Sequence, residues 1–457
     1  VKKLFDCLVK NGKLVIPTQG IVEAALGIKD GKVAALLDPG VDLPAGKVID
    51  AGGNHILPGV IEPHSHLALG NRVEDFATET KSAALGGVTT MFTYLRRQGL
   101  YDEMFPVMKE EAESRAYVDV AFHFGLMLSE QVDHLRRCFE DYGVSSFKFF
   151  MAYKGEEGRA MGIIGCDDGL MYRGFQQVAH MGQGVACVHA ENVEIIDTLK
   201  PALRAAGRDD LAAWSEARPG FTEAESIQRA FFLGRETGCP VYIVHLSSAA
   251  GLEIVREWRQ KEGVRYVETC THYLTHTLRA KEGKLAKANP ALRHEQDREA
   301  LWQGLKDGSI HTVGTDHVPF TKTQKMVSIW DSPPGFPGST TLLQVLLSEG
   351  YHKRGLSLEK IAEITSFNTA RIFNLYPRKG TLQVGADADL VIVDLELERQ
   401  VQAKNLLSYS DFSIYEGEIL KGWPILTMVR GQVVMEKGEI VGPRGFGRYI
   451  YRNYTRG

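Results

Sequence analysis

Two histidines stand two residues apart at the end of an apolar run, in Glu62-Pro63-His64-Ser65-His66. On extended backbone such side chains project to the same side, so both imidazoles can converge on one ion. A lone pair of this kind is weak evidence, because two histidines satisfied by ordinary hydrogen bonds look the same. Three more apolar runs end in a potential ligand: Val185-Ala186-Cys187-Val188-His189, Val241-Tyr242-Ile243-Val244-His245 and Thr312-Val313-Gly314-Thr315-Asp316-His317. A further run, Ser146-Phe147-Lys148-Phe149-Phe150, sets a lysine among aromatic residues, where a buried ammonium is costly. Lys148 has two readings. Its stem carries the amine out to the rim, or the amine is carboxylated by carbon dioxide and becomes an anionic ligand able to bridge two divalent ions.

These runs belong to a longer alternation. Strand-like segments at 57–62, 88–94, 118–124, 146–150, 185–189, 241–245, 264–270 and 310–316 are separated by helix-length spacers, among them amphipathic stretches at 104–115, 130–142 and 222–237. Eight strands so spaced predict an α/β chain folded as a parallel (β/α)8 TIM-like barrel, although a doubly wound open sheet fits the alternation almost as well. In a barrel, the candidate ligands all fall at the C-terminal strand ends, where barrel enzymes keep their active sites. That coincidence points to a metal site.

Both ends of the chain read as β-rich. Lys29-Asp30-Gly31-Lys32 is a hairpin signal between apolar runs, and Ala388–Asp394 and Met428–Met435 alternate in the same manner. The expected division is an N-terminal part of a small β-sandwich at 1–54, the barrel at 55–375, and the C-terminal part of the sandwich with a tail at 376–457. The chain has 457 residues, 44% hydrophobic and 24% charged, which excludes a disordered or fibrous protein. Its 53 Lys and Arg against 57 Asp and Glu give a net charge of −4, which leaves no broad basic face for nucleic acid or anionic lipid. Apolar runs are strand-sized, too short to cross a bilayer, and no signal-like apolar core follows Val1-Lys2-Lys3, so a soluble, cytoplasmic protein is expected. Six scattered cysteines without a C-x-x-C pair argue against a thiolate zinc knuckle or a disulfide framework.

The set Pro58-Gly59-Val60-Ile61-Glu62-Pro63-His64-Ser65-His66, Lys148, His189, His245 and Asp316 resembles the amidohydrolase superfamily. More narrowly it is similar to the dihydropyrimidinase and hydantoinase group of cyclic amidohydrolases. Phe150-Met151-Ala152-Tyr153-Lys154-Gly155, Val188-His189-Ala190-Glu191-Asn192, Ile243-Val244-His245-Leu246-Ser247-Ser248, Glu268-Thr269-Cys270 and Gly314-Thr315-Asp316-His317 carry the likeness almost end to end. The resemblance implies that His64, His66, carboxylated Lys148 and Asp316 hold one ion, and that Lys148, His189 and His245 hold a second. Zinc is the usual occupant in such proteins, and manganese or cobalt would suit the same donors. It implies ring opening of a cyclic amide by a hydroxide shared between the ions, Tyr153 donating to the developing oxyanion and Asp316 carrying the proton to the leaving nitrogen. A homotetramer is implied in the same way.

The likeness is weaker for the substrate. Related dihydroorotases place an arginine two residues after the H-x-H to hold a carboxylate; that position is Ala68, which points away from a charged ring. Two substrate-contacting positions fall on Asn289, in Asn289-Pro290-Ala291-Leu292-Arg293, and on Pro334, in Pro333-Pro334-Gly335, where a proline keeps its carbonyl but has no N–H. The stretch 154–165 after Tyr153 is longer than expected and borders the expected mouth. A dihydropyrimidine, hydantoin, imide or lactam ring thus stays open, as do an allantoinase-like or dihydroorotase-like reaction, an acyclic amide, and a metal-free scaffold protein. His123, His272, His276, His311 and His317 are given no metal role, His317 being read as support for Asp316.

Overall fold

The computed structural model describes residues 3–452, so Val1 and Lys2 at one end and residues 453–457 of the expected tail lie outside it. Eight strands pair in parallel and in chain order: Val60–Ser65, Val88–Leu95, Asp119–Leu126, Ser146–Phe150, Val185–His189, Val241–Ile243, Arg265–Cys270 and Thr312–Gly314. The ring closes through a parallel bridge between Ser65 and His317, in which the His66 amide donates to the His317 carbonyl at 2.8 Å and the His317 amide to the His64 carbonyl at 3.2 Å. The expected barrel is therefore present, and its seam joins the H-x-H strand to the residue after Asp316.

Two strands are shorter than their apolar runs suggest. His245 and Asp316 stand beyond their strands with φ of +43° and +50°. Left-handed backbone is strained for residues with a Cβ, at about 1–3 kcal/mol each, and here it bends both side chains into the mouth. The segment expected as the first barrel strand also divides. His55–Pro58 belongs to another sheet, and the barrel begins only at Val60. Gly59 makes the step between them, where a Cβ would come 2.2 Å from the Thr89 hydroxyl oxygen. The stretch at 104–115 forms one helix as expected, 130–142 is broken at His134 into Ser129–Asp133 and Leu135–Tyr142, and the third helix runs from Gly220 to Thr237.

Both ends of the chain share a second, largely antiparallel sheet of nine strands. His55–Pro58 lies at its centre, parallel to Phe5–Ile16 and antiparallel to Leu390–Gln400. Period-two alternation sends successive residues to different cores: Leu390 and Ile392 join a cluster with Ile56, Leu14 and Met428, while Val391 and Val393 pack into the barrel's helical shell. No helix among the described residues is long and apolar enough to cross a membrane.

A buried ionic cluster fastens this sheet to the barrel. Lys379 Nζ lies 2.7 Å from Asp119 Oδ2 at the head of the third barrel strand and 2.6 Å from Asp389 Oδ2, with Asp387 Oδ2 at 3.2 Å. Burial opposes the ammonium, but the three carboxylates more than offset it and hold the lysine charged. Removing one partner of such a group leaves uncompensated buried charge. Lys379→Met should cost about 3–5 kcal/mol of stability, measured as a lower urea midpoint; an unchanged midpoint would show that the cluster contributes nothing.

Candidate metal centre

Five strand ends deliver their side chains to one cavity. His64 and His66 come from the first strand, Lys148 from the fourth, His189 from the fifth, and His245 and Asp316 from the turns after the sixth and eighth. The cavity has a volume of about 490 Å³ including its open mouth, and is lined by His66, Lys148, His189, His245 and Asp316 together with Tyr153, Asn289 and Pro334. The His64 ring lies 5.4 Å from His66 and 5.3 Å from His245, and the His245 ring lies 4.5 Å from His189, all between centroids.

The tautomers follow from the carboxylates behind the rings. His64 Nδ1 lies 2.7 Å from Glu268 Oε1 and donates to it, leaving Nε2 with a lone pair toward the cavity. That Nε2 is 3.2 Å from Asp316 Oδ1, yet has no hydrogen-bond partner. Two electron-pair donors thus face each other, and a positive centre between them, a proton or a metal ion, makes that arrangement favourable. His66 Nε2 is 3.0 Å from the same oxygen. His189 Nε2 meets Glu191 Oε2 at 2.7 Å, which turns Nδ1 to the cavity, and His245 Nδ1 is buried without a partner. Burial lowers the affinity of His66, His189 and His245 for a second proton, His66 to about 4, so each ring is neutral at pH 7 and able to ligate. Burial alone would raise the Asp316 carboxyl, but the His64 and His66 rings and Lys148 carry it well below the usual range. His64, His66 and Asp316 could hold one divalent ion as they stand.

Lys148 is buried, and its Nζ sits 4.5 Å from the centroid of the Tyr94 ring with no hydrogen bond or ion pair among the described residues. Burial lowers it to about 8. The rim reading therefore fails, since the stem does not carry the amine out to bulk water.

Tyr153 follows the fourth strand at φ +61°, its ring 4.9 Å from that of His189. Burial and the nearby Glu157 and Glu191 carboxylates raise its hydroxyl far above neutrality, so it is a proton donor at any ordinary pH. The long stretch after Tyr153 includes a short helix, Gly155–Met161. Its Glu157 binds Arg218 with both oxygens, and Arg218 continues to Glu191 at 2.9 Å, so the mouth helix braces the carboxylate that orients His189. The Asn289 side chain is held from two sides: its amide donates to Glu157 at 2.9 Å and its oxygen accepts from Trp214 at 3.2 Å. At Pro334, the carbonyls on either side (Pro333 and Gly335) accept from the buried Lys325 ammonium at 2.7 and 2.8 Å. The Pro334 carbonyl stays available to the cavity.

Sequence reasoning quoted Glu268 and Glu191 only as parts of motifs, and it missed Glu157, Arg218 and Arg96. Arg96 follows the second strand and lines the cavity. The missing cation at Ala68 therefore does not leave the pocket without one. A charged residue just past a barrel strand was the available signal, obscured by the doublet Arg96-Arg97, which reads as surface. None of His123, His272, His276, His311 and His317 lines the cavity, and His317 Nδ1 accepts from the Gly338 amide at 3.1 Å.

Comparison with known proteins agrees with this geometry. The amidohydrolase family profile matches residues 55–434. The chain is 37% identical over 465 residues to an L-hydantoinase of Paenarthrobacter aurescens, covering 99% of both chains. It is 33% identical over 460 residues to an allantoinase of Bacillus licheniformis, covering 98% of this chain and 99% of that one. Among solved structures, a dihydropyrimidinase from Brevibacillus agri superposes with a TM-score of 0.91 at 30% identity, over 97% of this chain and 98% of that chain. A barrel whose strand ends gather these donors, matched over nearly its whole length, belongs to the amidohydrolase family.

Proposed function

We propose that this protein hydrolyses the C–N bond of a cyclic amide, in the class of dihydropyrimidine, hydantoin or related imide rings. The carrying observation is that His64, His66 and Asp316 come within reach of one ion at a cavity shared with His189, His245 and the buried Lys148. That donor set fits two divalent ions, zinc by preference: His64, His66, Asp316 and Lys148 for one, Lys148, His189 and His245 for the other. Lys148 reaches this role as a carbamate, its neutral amine adding to the carbon of CO2 and giving up one proton. A lowered lysine supplies that neutral amine near physiological pH. Divalent ions held there supply a water acidified toward neutrality and a Lewis acid for a carbonyl oxygen.

The protein's own groups then divide the remaining work. Asp316, kept ionised by its histidine neighbours, accepts the proton released in the attack and carries it to the ring nitrogen as the bond breaks. Tyr153 donates its hydroxyl to the oxygen on which negative charge develops. The Pro334 carbonyl accepts from a ring N–H, and main-chain atoms of Asn289 flank the ring's other edge. Glu268 and Glu191 keep His64 and His189 in the ligating tautomer.

The reading is tested by loading purified protein with bicarbonate and zinc, manganese or cobalt, then assaying dihydrouracil, hydantoin, allantoin, succinimide and simple lactams for ring-opened product. Opening of at least one ring, abolished by chelation and restored by metal, is expected; metal-free protein inert to all would favour a scaffold. Lys148→Ala should lose both ions and turnover together, read by metal analysis of the purified variant, and full metal content with near-normal turnover would contradict the bridging role. Tyr153→Phe should lower kcat by about 10²–10³, and an unchanged kcat would reduce Tyr153 to a packing residue.

A further inference from the structure

Among the described residues, Arg96 is a charged group of the cavity left without a task. It follows the second barrel strand, Val88–Leu95, and its guanidinium lines the same cavity as His66, Lys148, Tyr153 and Asp316. Among the described residues it makes no hydrogen bond, ion pair or ring contact, whereas its neighbour Arg97 reaches Glu103 at 3.5 Å. Space for its stem is kept by Gly125, where a Cβ would come 3.3 Å from Arg96 Cβ and 3.1 Å from the Phe150 ring. Leu69, Phe150, Met161, Ile163, Val318 and Phe320 supply the apolar walls.

A guanidinium cannot shed its charge, and five donors without acceptors in a partly desolvated pocket cost free energy. Among the described residues Asp316 is the only carboxylate lining the cavity, and it already lies against both His64 and His66. The acceptors for Arg96 must therefore come from what enters. A ring carbonyl offers one oxygen, whereas a carboxylate offers two in the plane of the guanidinium fork. Arg96 lines the cavity together with Asp316 and Tyr153, so its partner sits beside the reacting ring rather than out at the mouth.

We propose that the substrate is a cyclic amide carrying a carboxylate on the ring or on a short substituent, and that Arg96 binds this carboxylate through a bidentate ion pair. The inference rests on the cyclic-amide reading above and narrows it to charged rings. It is tested on the zinc-loaded enzyme with hydantoin-5-acetate and its primary amide, which keeps the shape and loses the charge. Wild type should favour the carboxylate in kcat/KM by about 10-fold or more, mainly through KM. Arg96→Met should reduce that preference by about 10–100-fold, and Arg96→Lys, which keeps the charge without the fork, should retain part of it. Equal preference in wild type, or a ratio unchanged in Arg96→Met, would overturn the proposal.

Calorimetric titration of the same two compounds into wild type and Arg96→Met separates the two claims. If neither these two rings nor any of the uncharged cyclic amides opens, the cyclic-amide reading fails. Tighter binding of the carboxylate by wild type alone would still uphold Arg96 as its receptor, and equal binding by both proteins would dismiss it.

Discussion

With its Nδ1 held by Glu268, His64 turns Nε2 to within 3.2 Å of Asp316 Oδ1, and these two electron-pair donors need a positive centre between them. Without that positive centre such a contact is repulsive in a protein interior, where electrostatic interactions are strengthened. The fold nonetheless imposes it through the backbone, because the seam that closes the barrel pairs His317 with the strand carrying His64 and His66. A cation at this point turns the strain into attraction. The rest of the site is arranged around that requirement.

A second layer of charge maintains the arrangement. Glu268 accepts from His64, from the His245 amide at 3.1 Å and from the Tyr242 hydroxyl at 2.7 Å, so one carboxylate sets two candidate ligands at once. Glu191 stays ionised, brought down to about 2 against its burial by Arg218 and His189. Through Arg218 the same charge network reaches Glu157 on the mouth helix, which in turn holds Asn289. Orientation of a ligand and shape of the mouth are thus coupled through buried ion pairs, which are rigid because breaking either partner strands a charge. The left-handed turns at Tyr153, His245 and Asp316 lie within this braced region.

Much of this was legible in the sequence. The barrel followed from strand-sized apolar runs at helix-length intervals, and the candidate ligands from polar residues closing those runs. The division at Gly59 was not legible, because residues 56–61 form one continuous apolar run and only pairing with Leu390–Gln400 separates its two halves. Nor were the short sixth and eighth strands, since composition does not show that His245 and Asp316 occupy left-handed backbone. Glu157, Arg218 and Asn289 meet across long sequence separations and could be joined only by the fold. Arg96 illustrates the same gap: its type was plain, its lack of a partner was not.

The most direct test is crystallographic. Crystals of the purified protein grown with bicarbonate and zinc should give two anomalous peaks at the zinc edge between His64, His66, His189, His245 and Asp316, with density for a carboxyl group on Lys148 Nζ contacting both. A free amine on Lys148 and no anomalous signal in that cavity, with zinc present throughout, would contradict the account.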